Sequence, residues 1–402
     1  MNKFKCSKLK TESKLDFIYR VCSLKEENNL SWKDVQEILN DQLGVNYSDS
    51  YYRKGFKNNC FPAFIEEDAA YEDEDKLSEL QLTLQELRKE RIKNSDERSQ
   101  IMMAARKIAR EETLLEIANS VAATLSTKPV LPNYEYVALP GTNRAILQIS
   151  DWHYGMEISN PWNIYNPDIA KDRILKLRSN VIKIARANNV KELTIVNLGD
   201  LISGRIHETI RIQNRIDVIS QALEVAEILT EFIAYLSQYF DIRYISCSDN
   251  HSRLEPKKEL SLDLESLVRV IDPLLQLRIE NLQLKKQCGT VEFLQSPFGL
   301  DIAKFNVSSY NIGAVHGHND NPKVVVQNIS LMTQANYDMI LTAHLHHFNC
   351  DERNNTLIVS NGSLMGVDDY AETLRLSNQA SQNLIICDED NVAASIHRII
   401  LS

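Results

Sequence analysis

The chain has 402 residues, 43% of them hydrophobic and 25% charged, with a formal net charge of -10. That balance is the one expected of a soluble globular protein, no run approaches the roughly 18 apolar residues of a membrane span, and the length predicts roughly two to three structural units. The negative sum does not exclude nucleic acid as a partner, because it hides local patches and ignores bound cations.

The opening segment MNKFKCSKLKTESK is basic without an apolar stretch behind it, so no signal peptide and a cytoplasmic location are expected. Seven cysteines (Cys6, Cys22, Cys60, Cys247, Cys288, Cys350, Cys387) are scattered without a CxxC pair, which argues for reduced thiols and against a disulfide framework or a thiolate zinc site.

Residues 1–62 read as a helical module. LDFIYRVCSLKEE is one helix; Ser31 caps WKDVQEILNDQLG, with Asp34 placed for a capping box and Gly44 for the stop. Ser48 then caps a short helix carrying Tyr51, Tyr52, Arg53, Lys54 and Lys57, and the order resembles a helix-turn-helix. Two readings stay open for it: DNA contact, or the packing of any small three-helix domain.

Residues 63–126 contain an acidic run, EEDAAYEDEDK, read as a solvated hinge, and then Leu77, Leu80, Leu84 and Leu87 at a and d spacing. Beyond them Ile101, Met102, Ala105, Ile108 and Leu115 continue a looser stripe. A long helix or helical hairpin follows, either self-associating as a coiled coil or lying against its own catalytic domain. Residues 127–144, rich in proline, read as a linker.

From 145 to 402 apolar β-rich runs alternate with helical stretches: AILQIS, a helix over Asp168 to Asn188, LTIVNL, a long helix from about Arg211 to Tyr239, and IRYISC. After Gly289 the strands crowd together (VEFL, DIAKFNV, YNIGAVH, YDMILTAH, TLIVSNG, NLIICD, ASIHRII). The pattern predicts an α/β (α+β) domain of two face-to-face sheets flanked by helices.

Chemistry-bearing residues sit where these strands end. AILQIS runs into Asp151 and His153, LTIVNL into Gly199 and Asp200, IRYISC into Asp249, Asn250 and His251, NIGAV into His316, and DMILTA into His344 and His346. Strand carboxyl edges are where open α/β folds place their sites. Of 9 histidines only His397 lies outside the span from His153 to His347. Carboxylate, amide and imidazole donors without thiolate suit Mn, Fe or Zn, and a carboxylate can bridge two ions.

Taken together, Asp151-x-His153, Gly199-Asp200, Asn250-His251, His316 and His344-x-His346 resemble the successive motifs of the calcineurin-like metallophosphoesterase superfamily, over about residues 145–402. The resemblance implies two divalent metal ions, Mn²⁺ foremost, with Fe, Zn or Mg as alternatives. One would be held by Asp151, His153, Asp200 and His346, the other by Asp200, Asn250, His316 and His344, with Asp200 as the bridge. His251 would assist as general acid or transition-state stabiliser while metal-activated water attacks a phosphoester. The family usually has Gly where this chain has Asp249 and Ala343; Asp249 is expected to need a backbone conformation that Asp tolerates better than most non-glycine residues.

For the substrate, His344-x-His346 followed by a strand and Asn361-Gly362-Ser363 resembles the branch of DNA double-strand-break repair nucleases. Arg205, His207 and Arg253 lie within loop reach of the ligands and are read as substrate-binding; Arg211 and Arg215 are either phosphate contacts or a solvated helix face with Asp217. His318 and His347, next to ligand candidates on the same strand ends, are expected either to support the ligands from outside or to have no role, and His397 to be structural. The domain order also resembles phage and mobile-element proteins. The leading reading is a nuclease or phosphodiesterase acting on DNA, with possible self-association through residues 66–125, a possible protein partner and no membrane. The alternatives are a phosphomonoesterase on a small molecule or phosphoprotein, and a DNA-binding or scaffold protein with a metal-retaining domain.

Overall fold

The fold is that of a computed structural model, which describes residues 6–65, 74–126, 135–137, 141–262 and 265–402. The predicted acidic hinge falls largely, and the proline-rich linker mostly, outside these residues. The chain divides into two compact units, Met1–Ile108 and Ala109–Ser402. Among the described residues no helix is long and apolar enough to cross a membrane.

The first unit begins with α1 (Lys14–Ser23), α2 (Trp32–Leu43), α3 (Asp49–Asn58) and α4 (Pro62–Ile65). Local signals set their ends. Ser31 and Asp34 close a reciprocal capping box on α2, Gly44 ends that helix in the left-handed region, and Ser48 caps α3. Phe17, Ile18, Val21, Val35, Leu39, Tyr52, Phe61 and Phe64 form one core. Both tyrosines of α3 serve packing: Tyr51 stacks on Tyr47 at 4.4 Å, and the Tyr52 hydroxyl donates to Asn40 Oδ1 at 2.7 Å. Arg53, Lys54 and Lys57 lie on the exposed face. The next helix, α5 (Glu74–Ser126), is a single helix of 53 residues and not a hairpin, and the boundary between the units falls inside it.

The second unit contains two mixed sheets. Strands β1 (Asn143–Ile149), β4 (Val190–Asn197), β5 (Asp241–Ser246) and β6 (Val291–Phe293) run parallel, extended on one side by β12 (Ser381–Cys387), antiparallel to β1, and β13 (Ser395–Ile400), antiparallel to β12, in the order β13-β12-β1-β4-β5-β6. In the second sheet β8 (Tyr310–Ala314), β9 (Met339–Thr342) and β11 (Thr356–Ser360) are parallel, with β7 (Ala303–Val307) and β10 (Asn349–Arg353) antiparallel at the edges. A small hairpin, β2 (Ile158–Asn160) and β3 (Asn163–Tyr165), stands apart.

Ile146, Val196, Ile245 and Ile385 from the first sheet interleave with Phe305, Ile312, Met339 and Val359 from the second. On the outer side Leu147 and Ile149 meet α6 (Pro167–Ala187), α8 (Val218–Leu236) and α9 (Val268–Leu284), while α10 (Val325–Thr333) covers the second sheet. Neighbours such as Ile146 and Leu147 therefore serve opposite cores, which is why the inner strands read as continuous apolar runs and do not alternate.

Two sequence expectations need correction. The helix expected from Arg211 to Tyr239 is two helices, α7 (Glu208–Gln213) and α8, because Asp217 caps Ile219 and Ser220 while Glu157 N–H and Arg215 N–H bond across to Gln213 O and Gly155 O. Arg211 and Arg215 therefore share no helix face, and Arg215 pairs with Asp168 at 3.4 Å. Helix α9, with Pro273 inside it, had no counterpart in the sequence reading.

Candidate metal centre

The parallel strands of both sheets deliver their carboxyl ends to one edge. The loop after β1 and the loop after β4 are stitched together there: Asp151 N–H donates to Gly199 O at 3.0 Å, His153 N–H to Asp200 O at 3.0 Å and Tyr154 N–H to Leu201 O at 2.9 Å. The second sheet joins through His316, whose Nδ1 lies 2.7 Å from Leu198 O, and through Ala343 N–H on His316 O.

Three groups of donor atoms result: Asp151, His153 and His346; His153, Asp200 and His251; and Asp200, His316 and His344. Asp200 and His153 are each shared between neighbouring groups. Asn250 Oδ1 lies 2.9 Å from His316 Nε2, so the amide belongs to the same cluster. His153 Nε2 and His346 Nε2 approach to 3.1 Å, and His346 Nε2 lies 3.3 Å from Asp151 Oδ1. Asp151, His153, Asp200 and His316 are fully buried or nearly so.

Backbone strain concentrates on these donors. Asp151, His153, Asp200, His344 and His346 all have positive φ, between 45° and 68°. A non-glycine residue there costs about 1 kcal/mol or more and persists only where surrounding contacts dictate it, commonly at functional sites. Asp249 was expected to carry such strain and does not; the unusual backbone falls on the ligand candidates themselves. Its carboxylate instead accepts Asp200 N–H at 2.9 Å, Ser252 N–H at 2.7 Å and the Ser252 hydroxyl at 3.0 Å, tying the loops after β4 and β5 together.

The unpaired atoms point one way. His251 N–H occupies Asp200 Oδ1 at 3.1 Å, whereas Asp200 Oδ2 and Asp151 Oδ1 are buried without an aligned hydrogen bond. A buried carboxylate oxygen left so is costly unless a cation or proton completes it. Nδ1 of His316 and of His251 donates to Leu198 O and Ser203 O, so each ring turns its Nε2 to the centre; for His316, once Nε2 has lost its proton, this is the arrangement that metal-ligating histidines use. The residues present therefore fit divalent cations.

The metal-free electrostatics agree. Burial opposes charge on Asp200, but the surrounding His251, His316 and His153 overcome it and hold its carboxyl well below the ordinary range; Asp151 is lowered in the same way by His346. Burial also disfavours charge on His316, yet Asp200 beside it raises the imidazole to about 10. Burial together with His251 keeps His153 neutral. A proton on His316 thus stands where a cation would, so cation binding must displace it.

A buried polar network, largely missed in the sequence, aims Asp151. Gln382 Oε1 accepts Ser150 N–H at 2.8 Å, and its amide nitrogen donates to Gly362 O at 2.7 Å and Ser150 O at 3.1 Å. Asn361 donates to Ser150 Oγ at 2.8 Å, Ser150 Oγ donates to Asp151 Oδ2 at 2.6 Å, and Ser363 Oγ donates to Asp151 O at 2.9 Å. The signal available in the sequence was Gln382-Asn383 directly before the apolar residues Leu384, Ile385 and Ile386 of the same strand.

The remaining candidates fall into different places. Arg205 gives its guanidinium to Leu254 O at 3.1 and 2.8 Å, and Arg253 donates to Pro256 O at 2.9 Å, so both brace the loops beside the centre. His207 is exposed at the start of α7. His318 lies with its ring 5.4 Å from that of His316 and 6.3 Å from that of His344, beside the ligand candidates and outside the donor groups, one of the two places expected for it. His347 bonds to Leu345 O, and His397 to Ser395 on β13.

Comparison with known proteins gives three findings. A family model described as the YonJ N-terminal domain matches residues 2–67. Among solved structures, the chain is similar to an archaeal phosphodiesterase (12% identity, 64% of this chain and 99% of that one, TM-score 0.32) and to Vps29 of Entamoeba histolytica solved with zinc (12%, 64% and 99%, TM-score 0.28). Over nearly its whole length it is similar to the SPbeta prophage-derived uncharacterized protein YonJ of Bacillus subtilis (strain 168), at 27% identity across 379 residues and 91% of each chain.

Proposed function

We propose that the chain is a two-metal phosphodiesterase that hydrolyses phosphodiester bonds in DNA. The observation that carries the reading is Asp200: buried, with one carboxylate oxygen fixed by His251 N–H and the other, 3.0 Å from His316 Nε2 but without an aligned hydrogen bond, lying where two donor groups meet. Asp151, His153, Asp200 and His346 would hold one divalent ion and Asp200, Asn250, His316 and His344 the second, with Mn²⁺ favoured by the mixed oxygen and imidazole donors. Such ions supply Lewis acidity toward a phosphoryl group and toward water.

The chain's own part is orientation and proton handling. The ring of His251 packs edge-on to His153 at 4.5 Å, and Ser203 O fixes its Nδ1, so Nε2 faces the centre, placed to give a proton to the leaving oxygen. Asp249 and the Gln382–Ser150 network hold the two carboxylates against the attraction of the ions. DNA as the substrate is supported by the resemblance of the closing histidine motif to repair nucleases and by the cationic face of α3.

The test is purified protein with Mn²⁺ and either labelled single- and double-stranded DNA or chromogenic phosphate mono- and diesters. DNA cleavage that is lost in Asp200→Asn, and reduced at least about 100-fold in His251→Ala with metal content retained, is the expected result. Turnover of monoesters alone, or DNA binding without cleavage by metal-replete protein, overturns it.

A further inference from the structure

Helix α5 is long and, over much of its length, bare. At about 1.5 Å per residue its 53 residues span roughly 80 Å. Its last turns are accounted for: Ile117 is buried, Val121 packs on the main core, and Arg278 donates to Thr124 O. Upstream, every described side chain from 84 to 102 is exposed, including Leu84, Leu87, Ile92, Ile101 and Met102 at 47–67%. Helices in water draw most of their stability from burying an apolar stripe, and this one has none buried over that stretch.

The sequence of the stripe indicates what covers it. In one unbroken heptad register the a positions are Leu77, Leu84, Arg91, Arg98 and Ala105, and the d positions Leu80, Leu87, Asn94, Ile101 and Ile108. The run is apolar at both ends and polar in the middle, and so nearly reads the same in reverse. Aligned parallel with a second copy, it sets Arg91 against Arg91 and Arg98 against Arg98, like charges in the seam. Aligned antiparallel about a point between Ile92 and Lys93, it pairs Leu77 with Ile108, Leu80 with Ala105, Leu84 with Ile101, Leu87 with Arg98 and Arg91 with Asn94. Apolar then meets apolar in three pairings, each made twice by the two-fold, the Arg98 stem covers Leu87 with its charge reaching water, and no arginine faces another.

We infer that α5 is the dimerisation element of this protein, forming an antiparallel two-stranded coiled coil with a second copy of the chain. The inference is independent of the phosphodiesterase reading. A pattern that matches its own reverse is what an isologous two-fold interface requires, and a different partner would have no need of it.

Light scattering on the full chain tests it: twice the 46.0 kDa chain mass is expected. Leu84→Lys with Ile101→Lys should raise the dissociation constant at least about 100-fold, because the layers pairing positions 84 and 101 would bury like charges; thermal unfolding of the two packed cores should persist, since neither side chain lies in them, and the far-ultraviolet helix signal should fall only by the stretch of α5 that loses its cover. Orientation is read in a background where the exposed Cys60 and Cys350 are Ser. Oxidative cross-linking is expected in Leu84→Cys/Ile101→Cys and not in Leu84→Cys alone. A monomer at all concentrations, or a dimer indifferent to the lysine pair, overturns the inference, and a cross-link in Leu84→Cys alone overturns the antiparallel arrangement.

Discussion

Replacing Gln382 with Met keeps roughly the volume of a fully buried side chain and removes its amide. Four contacts disappear: Ser150 N–H loses its acceptor, and the Gly362, Ser150 and Ser381 carbonyls lose a donor. An unpaired buried N–H costs about 1–3 kcal/mol and each under-satisfied carbonyl less, so a loss of about 3–5 kcal/mol is expected for the second unit. Ser150 also orients Asp151 through its hydroxyl, so affinity for the cation held by Asp151 should fall about 10–100-fold, or about 1.4–2.8 kcal/mol. Urea unfolding in chelator, followed by the fluorescence of the buried Trp152, reads the first effect, and calorimetric titration with Mn²⁺ the second. A variant within about 1 kcal/mol of the parent and with unchanged cation affinity would show that the network neither stabilises the fold nor aims the ligand.

Two further outcomes are expected. Gly204 has φ of +68°, and a Cβ there would sit 2.0 Å from His251 O; Gly204→Ala should cost more than about 2 kcal/mol and displace His251, lowering turnover more than cation content, as thermal melts, kinetics and metal analysis would reveal. Burial raises the Asp272 carboxyl to about 6 despite hydroxyl bonds from Ser246 and Tyr244. Its folded value lies above its unfolded one, so its contribution to stability is complete below about pH 4 and is lost as pH rises through about 6. The change is at most about 3 kcal/mol, less for the carboxyl's residual exposure. Asp272→Asn should therefore gain stability relative to the parent between pH 4.5 and 7.5; a difference that stays flat with pH in denaturant titrations would refute the assignment.

The features the sequence carried by itself were those with local causes. The capping box of Ser31 and Asp34, the stop at Gly44 and the strand ends that run into Asp151, Asp200, Asn250, His316 and His344 are each written within a few neighbouring residues, so short-range steric and hydrogen-bonding rules suffice to read them. The long helix was legible for the same reason: its last turns lie against the core of the second unit, as one of its two readings had it, and its middle is bare. Contacts between distant segments were decided by the fold alone. Bonds from Gln213 and Gly155 split one expected helix into two, and Pro273 lies inside a helix that packing holds together. Gln382 reaches Ser150 across 232 positions, and five ligand candidates take left-handed backbone because two sheets converge on them. Which strand ends would meet is a property of sheet order, and sheet order is settled by non-local pairing that no window of sequence contains.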